Sequence, residues 1–215
     1  MTVLTLAGSP ARQSRSNALL RHTRRLLESR GFPTASIGLR DIPAEDLIEA
    51  RYQSPAARIV RAKIDLAAAV ILATPIYKAS MGGGLKSLLD LLPQDALAGK
   101  VVLPLATGGT ASHLLALEYS LKPVLSALGA RNILGGIYAI DSQVSLTEEG
   151  EALLDPQIAT RVENAIEELA LELALLKLRN VGSAASIQRQ ATILETLEPD
   201  EEAETGRVRS ISCSV

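Results

Sequence analysis

Five continuously apolar, strand-length runs separate helical patterns along the first part of this chain. Strands that read as unbroken apolar runs, without alternation to polar residues, are typical of a parallel sheet with helices packed on both faces. The sequence therefore predicts an α/β fold built on such a sheet. The five predicted strands are Thr2–Ala7, Thr34–Leu39, Ala68–Thr74, Val101–Thr107 and Asn132–Ile140.

Helical patterns occupy the intervals, and five strands connected in this way fit a flavodoxin-like, doubly wound sheet with strand order 2-1-3-4-5. A long final helix is predicted to begin at Pro156, with Asp155 as its N-cap. We expect one domain over residues 1–180 and a flexible C-terminal extension over residues 181–215, which contains the acidic run Glu198–Glu204. The other predicted helices are Ser16–Arg30, Pro55–Asp65, Gly83–Leu92 and Ala111–Leu128.

Composition narrows the class of protein. Of 215 residues, 47% are hydrophobic, which is ample for one well-buried core. The charge is nearly balanced, with 22 basic and 24 acidic residues and no basic stripe, so we expect no nucleic-acid partner. No apolar run is long enough for a membrane span, and no signal-peptide pattern is present. Cys213 is the only cysteine, so no intramolecular disulfide can form, and we expect a cytoplasmic protein.

The loops that follow the first, third and fourth predicted strands are the expected ligand site. In a doubly wound sheet, ligands bind beyond the carboxyl ends of the strands, at the switch in strand order. The three loops, 8–16, 74–83 and 107–113, are all rich in Gly, Ser, Thr or Tyr. Because they meet at one edge of the sheet, they predict a single binding site.

The loop after the first strand has the composition of an anion site. Ser9, Ser14 and Ser16 offer hydroxyl donors. Arg12 or Arg15 adds positive charge, and the following helix directs its unpaired N–H groups at the loop. The G-x-G-x-x-G and P-loop patterns are absent, so a terminal monophosphate such as that of FMN suits the loop better than a dinucleotide. The alternative is an ordinary turn in which Ser16 only caps the helix.

The loops after the third and fourth strands suit a planar ring. Glycines 82–84 allow the backbone to approach a ligand closely, and Tyr77 is the side chain expected to flank a flavin. The N–H groups of Gly108 and Gly109 would meet the pyrimidine edge, where negative charge develops as a flavin accepts a hydride. His113 is a catalytic candidate that would neutralise that charge. The alternatives are a loop aromatic at Tyr77 and a solvent-facing residue at His113.

Tyr119 and Pro123 stand four residues apart inside the fourth predicted helix. Because Pro123 has no N–H to donate to the carbonyl of Tyr119, we predict a kink or a π-bulge there. Such bulges are frequent at functional sites, so Tyr119 is a second catalytic candidate, near the flavin or in a subunit interface. The alternative is a bent helix with Tyr119 packed in an interface and no further role.

Other chemistries are disfavoured by the residues available. The only histidines are His22 and His113, and the sequence indicates neither a metal site nor a catalytic triad. Hydride transfer between a nicotinamide and a flavin depends on stacking and alignment more than on protein acids and bases.

Four segments carry a family resemblance: Gly8-Ser9-Pro10 with Ser14-Arg15-Ser16, Thr74-Pro75-Ile76-Tyr77 through Leu85-Lys86-Ser87-Leu88-Leu89-Asp90, Ala106-Thr107-Gly108-Gly109, and Asp141-Ser142-Gln143-Val144. Over residues 1–145 the chain resembles the NADPH-dependent FMN reductase family. Within that family it is most similar to the flavin reductase component of bacterial alkanesulfonate monooxygenase systems.

The resemblance implies a flavodoxin-like enzyme with NADPH or NADH as hydride donor and FMN as acceptor. It also implies that reduced flavin passes to a separate monooxygenase that cleaves sulfonates. A homodimer or homotetramer is implied too, and the many leucines of the helices at 83–92 and 111–128 favour it. By position, the residues implied to hold the FMN phosphate are Ser9, Ser14 and Ser16, those that flank the ring are Thr74, Pro75, Ile76 and Tyr77, and those that bind its polar edge are Thr107, Gly108 and Gly109.

Two other functions stay open on the sequence alone. An enzyme of the same fold could hold FMN tightly and send its electrons to quinones, azo dyes or metal oxyanions. A flavodoxin-type electron carrier would bind FMN without turning over nicotinamide, although the absence of Trp and a net charge of only −2 are atypical of carriers.

Overall fold

The structure is a computed structural model that describes the backbone of residues 1–197 and the side chains of residues 1–179. The chain divides into two units at residue 173, and the sheet and its clefts belong to the first, residues 1–173. The strands are β1 (Thr2–Ala7), β2 (Thr34–Gly38), β3 (Ala67–Tyr77), β4 (Ser80–Met81), β5 (Val101–Gly108), β6 (Asn132–Ile133), β7 (Ile137–Ile140), β8 (Val144–Leu146) and β9 (Ala152–Leu154). The α-helices are α1 (Arg15–Ser29), α2 (Ala44–Ile48), α3 (Pro55–Leu66), α4 (Gly83–Asp90), α5 (Lys122–Ala127) and α6 (Pro156–Leu197).

The main sheet has the predicted doubly wound topology. β2, β1, β3 and β5 pair in that order, all parallel, and both β6 and β7 pair with β5 in the fifth position. The α/β fold class and the order of the first four strands are therefore confirmed.

The predicted fifth strand, 132–140, is divided into the two short strands β6 and β7. The break contains Gly136, whose φ is +81° and where a Cβ atom would lie 2.8 Å from the carbonyl oxygen of Pro104. Only glycine fits such a position without a shift of the neighbouring strand. Helix α2, the two-residue strand β4 and the β8–β9 hairpin were not predicted from the sequence, because elements this short show no hydrophobic periodicity.

Alternating strand residues build one hydrophobic core on each face of the sheet, as the period of two in a strand requires. On one face, Leu4, Leu72 and Val102 pack with α3, α4 and α5. On the other face, Ile71 and Leu103 pack with α1 and with the first turns of α6. The helices therefore cover both faces, as predicted.

The predicted helix 111–128 is interrupted where Pro123 required it to be. A 3₁₀ turn at Ala111–His113 is followed by a π-helix at Leu117–Leu121, and only then does α5 begin. The N–H of Lys122 donates to the carbonyl of Leu117, five residues earlier, so the π-helical register ends just before Pro123. The predicted irregularity at Tyr119 is confirmed.

The last helix begins as predicted, with Asp155 as its cap: the Asp155 carboxylate accepts the N–H of Gln157 at 2.9 Å. Its backbone continues past the predicted domain boundary at residue 180 as far as Leu197. The acidic run Glu198–Glu204 lies outside the described residues. Among those residues, no helix combines the length and apolarity that crossing a membrane would need.

Candidate active site

A cleft of about 280 Å³ opens where β1, β3 and β5 end at the same edge of the sheet. This edge was the expected ligand site, and the three predicted loops do meet there. The residues that line the cleft are Ser9, Ala11, Gln13, Ser14, Arg15, Pro75, Ile76, Tyr77, Thr107, Gly108, Gly109 and Asp141.

The β1–α1 loop leaves the sheet through a position that only glycine fits. A Cβ atom on Gly8 would lie 2.5 Å from the carbonyl oxygen of Ala73. The N–H of Gly8 donates to that same oxygen at 2.8 Å, which ties the loop to β3. Ser9 follows and is buried; its backbone carbonyl accepts the side-chain amide of Asn17 at 3.0 Å. The loop is therefore held closely by its own contacts.

Helix α1 begins at Arg15, one residue earlier than predicted, and its N-cap is Ser14 rather than Ser16. The Ser14 hydroxyl accepts the N–H of Asn17 at 3.3 Å and lies 3.0 Å from the Ser16 hydroxyl. No acidic residue occupies the first turn, so nothing there offsets the positive end of the helix dipole. This end of the cleft attracts anions.

Arg15 is the cationic side chain of that end. Its Nε donates to the carbonyl of Val144 at 3.1 Å, and its Nη1 lies 3.7 Å from the Asp141 carboxylate. Both side chains are about half exposed, so solvent screens the pair. Asp141 thus brings a negative charge to the rim of an otherwise anion-attracting cleft.

At the end of β3, a buried threonine shapes the wall behind the cleft. The Thr74 hydroxyl accepts the N–H of Gly82 at 2.9 Å, and it donates to the carbonyl of Pro75 at 3.0 Å. Between these points the chain forms a tight hairpin whose two central residues, Lys78 and Ala79, have φ values of +50° and +60°. Such a turn normally contains Asn or Gly, so this hairpin is strained.

The strained hairpin carries Tyr77, whose side chain is 62% exposed at the mouth of the cleft. The opposite strand of the hairpin is anchored to the π-helix: the Ser80 and Ser120 hydroxyls are 2.7 Å apart, and the N–H of Met81 donates to the Ser120 hydroxyl at 3.2 Å. The irregular helix therefore supports the loop on which Tyr77 stands.

At the end of β5, Gly108 faces a buried tyrosine. The Tyr138 hydroxyl donates to the carbonyl of Thr110 at 2.6 Å, and a Cβ atom on Gly108 would lie 2.3 Å from that hydroxyl. Burial raises the pKa of Tyr138, and the nearby Asp141 carboxylate raises it further, so the phenol stays protonated at neutral pH. A Cβ atom on Gly109, by contrast, would meet no protein atom within 4 Å.

Nine of the residues predicted to bind the cofactor line the cleft: Ser9, Ser14, Arg15, Pro75, Ile76, Tyr77, Thr107, Gly108 and Gly109. Ser16 and Thr74 do not; both are fully buried, and they support Ser14 and Gly82 from behind. His113 and Tyr119 are not part of the lining either, and Tyr119 is 79% exposed.

Three lining residues were not among the binding residues predicted from the sequence: Ala11, Gln13 and Asp141. Asp141 had a readable signal, because it directly follows the last strand of the sheet at the same edge. Among the described residues, no group of three or more His, Cys, Asp or Glu side chains could hold a metal ion.

Comparisons with known proteins identify the family of the chain. Residues 1–145 match the family model described as NADPH-dependent FMN reductase. The chain is 46% identical over 175 residues to an FMN reductase (NADPH) of Pseudomonas putida, covering 81% of this chain and 89% of that protein. It is 49% identical over 167 residues to an FMN reductase (NADPH) of Escherichia coli, covering 78% and 87%.

A solved structure gives the same result in three dimensions. The apo form of an NADH:FMN oxidoreductase (EMOB) superposes with a TM-score of 0.71 at 33% identity, over 80% of this chain and 89% of that one. The family match spans every cleft-lining residue, because the last of them is Asp141. The chain belongs to the NADPH-dependent FMN reductase family and is an oxidoreductase that uses FMN and NAD(P)H.

Proposed function

We propose that the cleft binds FMN as an exchangeable substrate, that NAD(P)H reduces it there, and that the reduced flavin leaves for a partner monooxygenase. The observation that carries the proposal is the union in one cleft of an anion-binding end, at Ser9, Ser14 and Arg15, with an exposed aromatic and a glycine pair at the other end.

The anion-binding end fits the phosphate of FMN. The first turn of α1 supplies backbone N–H groups without an opposing acidic residue, and Ser14 stands at its N-cap. Arg15 adds one positive charge, which its carbonyl and carboxylate contacts orient toward this edge. Helix termini of this kind bind phosphate by N–H donation and by the dipole together.

The other end fits the flavin ring. Gly109 leaves open space where a side chain would stand, and Tyr77 flanks that space from the hairpin. FMN, when bound, supplies the chemistry by accepting a hydride from the nicotinamide. The N–H groups of Gly108 and Gly109 would face the side of the ring on which negative charge develops, and Tyr138 fixes the backbone behind them.

Two features support a flavin that comes and goes. Tyr77 is largely exposed, so it covers one side of the ring without enclosing it. Asp141 places a carboxylate on the same cleft as the phosphate-binding residues and offsets part of the Arg15 charge. Both features weaken retention of a dianionic ligand.

Purification and a simple assay test exchange. The purified protein should be colourless, and it should oxidise NADPH only after free FMN is added. A yellow protein that reduces quinone without added FMN would replace the proposal with the tightly bound alternative. An electron carrier without turnover is not supported, because the chain belongs to a reductase family.

The proposal also names the class of enzyme that receives the reduced flavin. A flavin-dependent monooxygenase that cleaves alkanesulfonates is the partner class implied by the sequence resemblance. Sulfite release from an alkanesulfonate should require this protein, FMN and NADPH together. A monooxygenase that performs equally well with chemically reduced FMN and no reductase would show that the protein need only supply free flavin, without a docked complex.

The subunit interface is also proposed, and on a narrower patch than the sequence suggested. Most leucines of the helices at 83–92 and 111–128 are buried within the protomer's own core. The exposed apolar side chains there are Leu114, Leu115 and Tyr119, which surround the start of the π-helix. Sedimentation equilibrium should give a dimer or tetramer, and Tyr119→Ala should shift it toward monomer if this patch is the interface.

A further inference from the structure

A second cleft, of about 250 Å³, lies between α1 and the end of β2. Three arginines line it: Arg21 and Arg24 from α1, and Arg40 from the 3₁₀ turn at Leu39–Asp41 that follows β2. We name it the arginine cleft. It lies at the carboxyl ends of β1 and β2. Ser9 lines both this cleft and the first one, at the ends of β1, β3 and β5, which we call the FMN cleft after its proposed ligand.

Among the residues that line the arginine cleft, three arginines stand against one carboxylate. Asp41 is the only carboxylate of its lining, and it already accepts the N–H of Gly38 at 2.8 Å. Outside the lining, Arg21 lies 3.9 Å from the Glu151 carboxylate and Arg24 lies 3.5 Å from the Glu28 carboxylate. All four side chains are partly exposed, so solvent screens both ion pairs.

Arg40 is the arginine whose charge is unmatched. Among the described side chains, residues 1–179, it makes neither an ion pair nor a side-chain hydrogen bond. Its side chain belongs to an exposed residue at the rim of the cleft, so a ligand that enters from solvent meets it first.

One buried polar atom of the cleft lacks any partner among the described residues. Asn17 Oδ1 is an acceptor without a donor, and the Asn17 amide is fixed by its donation to the carbonyl of Ser9 at 3.0 Å. Arg24 Nε makes no hydrogen bond within the described part of the chain, but it lies 3.5 Å from the Glu28 carboxylate, so its charge is paired. Buried polar atoms are nearly always hydrogen-bonded in folded proteins, so Asn17 Oδ1 marks a place where a ligand hydroxyl would donate. The arginines of the lining would receive the anionic oxygens of the same ligand.

We propose that the arginine cleft binds a phosphate monoester dianion. This inference rests on the proposed function in one respect: FMN, itself a phosphate monoester, is assigned to the neighbouring cleft, and the other phosphate monoester that this enzyme meets is the 2′-phosphate of NADPH, which NADH lacks. Inorganic phosphate shares the anionic chemistry and is the other source.

Direct binding of two probes tests the inference. Calorimetric titration measures 2′,5′-ADP and inorganic phosphate binding to the wild type, Arg40→Gln and Arg24→Gln. Arg58→Gln is the matched control, because Arg58 is an exposed arginine of α3 outside both clefts. We expect each cleft variant to weaken 2′,5′-ADP binding by about tenfold, the usual effect of losing one charge-assisted hydrogen bond.

Steady-state kinetics then separates the two sources. If the 2′-phosphate is the ligand, Arg40→Gln raises KM for NADPH by about tenfold and leaves KM for NADH unchanged. If inorganic phosphate is the ligand, its binding falls in both cleft variants while the NADPH to NADH ratio stays constant, and the dianion site still stands. If Arg40→Gln and Arg24→Gln both bind the two probes as tightly as the control Arg58→Gln does, the proposal is overturned.

Two controls keep the result interpretable. Arg40 is exposed, so its variant should fold even if Arg24→Gln disturbs the packing of α1, and thermal melting checks both. The titrations need no turnover. A wild type that binds 2′,5′-ADP but fails to reduce FMN would therefore contradict the proposed function and leave the arginine cleft intact.

Discussion

The two ends of the cleft that we propose for FMN are built in opposite ways. At the proposed phosphate end, the side chain that would face the ligand also holds the fold, because Ser14 lines the cleft and caps α1 at the same time. At the ring end, Tyr77 and Gly109 face open space and support little, while Thr74 and Tyr138 carry the structure from behind. Binding and stability should therefore be inseparable at the first end and separable at the second.

The largest expected effect comes from closing the space behind the ring end. Gly108→Ala places a Cβ atom 2.3 Å from the Tyr138 hydroxyl, which is buried and bonded to Thr110. Overpacking of this kind costs about 1–3 kcal/mol, and a shift of the strand end would also displace the ring site. Urea unfolding should show the loss of stability, and FMN reduction should fall with it.

Gly109→Ala is the control for that variant, because a Cβ atom there meets no protein atom within 4 Å. It should keep wild-type stability and raise only KM for FMN. Tyr138→Phe combined with Gly108→Ala should recover part of the lost stability, since it removes the closest of the clashing atoms. If Gly108→Ala and Gly109→Ala destabilise the protein equally, the distinction between Gly108, which packs on Tyr138, and Gly109, which faces the ring site, is contradicted.

At the phosphate end, Ser14→Ala should lower stability and FMN affinity together. Loss of an N-cap costs about 1 kcal/mol, and loss of a donor to a phosphate weakens FMN by about tenfold. Ser54→Ala is the matched control, because Ser54 caps α3 through the N–H of Ala57 at 3.1 Å, away from the cleft.

Riboflavin, which lacks the phosphate, sharpens this test. Ser14→Ala should leave KM for riboflavin unchanged, while Ser54→Ala should change neither flavin. Equal losses for FMN and riboflavin in Ser14→Ala would mean that the helix start shapes the whole cleft and does not bind phosphate.

The fold was readable from the sequence where its elements are long. Strands such as β3 and β5 are continuous apolar runs, and the missing N–H of Pro123 predicted a kink or a π-bulge where the structure has a π-helix. The strand break at Gly136 was not predicted. Glycine is required there because the carbonyl of Pro104, on the neighbouring strand, leaves no room for a Cβ atom, and only folding brings that carbonyl close.

The site was predictable to the same extent, where its residues have a local signal in the sequence. The sheet-edge rule predicted Ser9, Tyr77 and Gly108, because each lies at the carboxyl end of a strand or within two residues of it. It did not distinguish Ser14 from Ser16, since two serines two positions apart differ only in where the helix begins. Similarly, nothing in the composition of the loop at 74–83 shows that Thr74 turns inward to hold Gly82 while Tyr77 turns outward.

A ring-end substitution should separate binding from stability. Tyr77→Ala removes a side chain that is 62% exposed, so the free energy of unfolding should change by less than about 0.5 kcal/mol. An aromatic contact with the ring contributes about 0.5–1.5 kcal/mol, so FMN binding should weaken roughly threefold to tenfold.

Tyr52→Ala is the control for Tyr77→Ala, because Tyr52 is exposed to a similar degree, 50%, and lies outside the cleft. Fluorescence titration with FMN measures both variants. Unchanged FMN affinity in Tyr77→Ala would assign the ring contact to another residue and would remove the main support for a ring end on the hairpin.

The smallest expected effect lies between the two ends, at Asp141. Asp141→Asn should tighten FMN by about threefold at low salt, because it frees Arg15 and removes a charge that repels the phosphate. Asp90→Asn is the matched control: Asp90 is paired with Lys86 on α4 and its side chain is equally exposed, 48%. The gain should fade as salt is raised; weaker binding would show that Asp141 positions Arg15 instead of opposing the ligand.

The same variant has a second readout behind the ring end. The Asp141 carboxylate contributes to the raised pKa of Tyr138, since a neighbouring negative charge disfavours the phenolate. Asp141→Asn should therefore lower that pKa toward its ordinary value. The tyrosinate absorbance of Tyr138 alone is obtained by subtracting the titration of Tyr138→Phe from that of the protein that keeps Tyr138. Because the pKa of Tyr138 is raised in the folded state, its contribution to stability is complete below the unfolded pKa near 10 and is lost as pH rises through the folded value. In Asp141→Asn this loss should be smaller, and an unchanged titration would mean that burial alone sets the pKa.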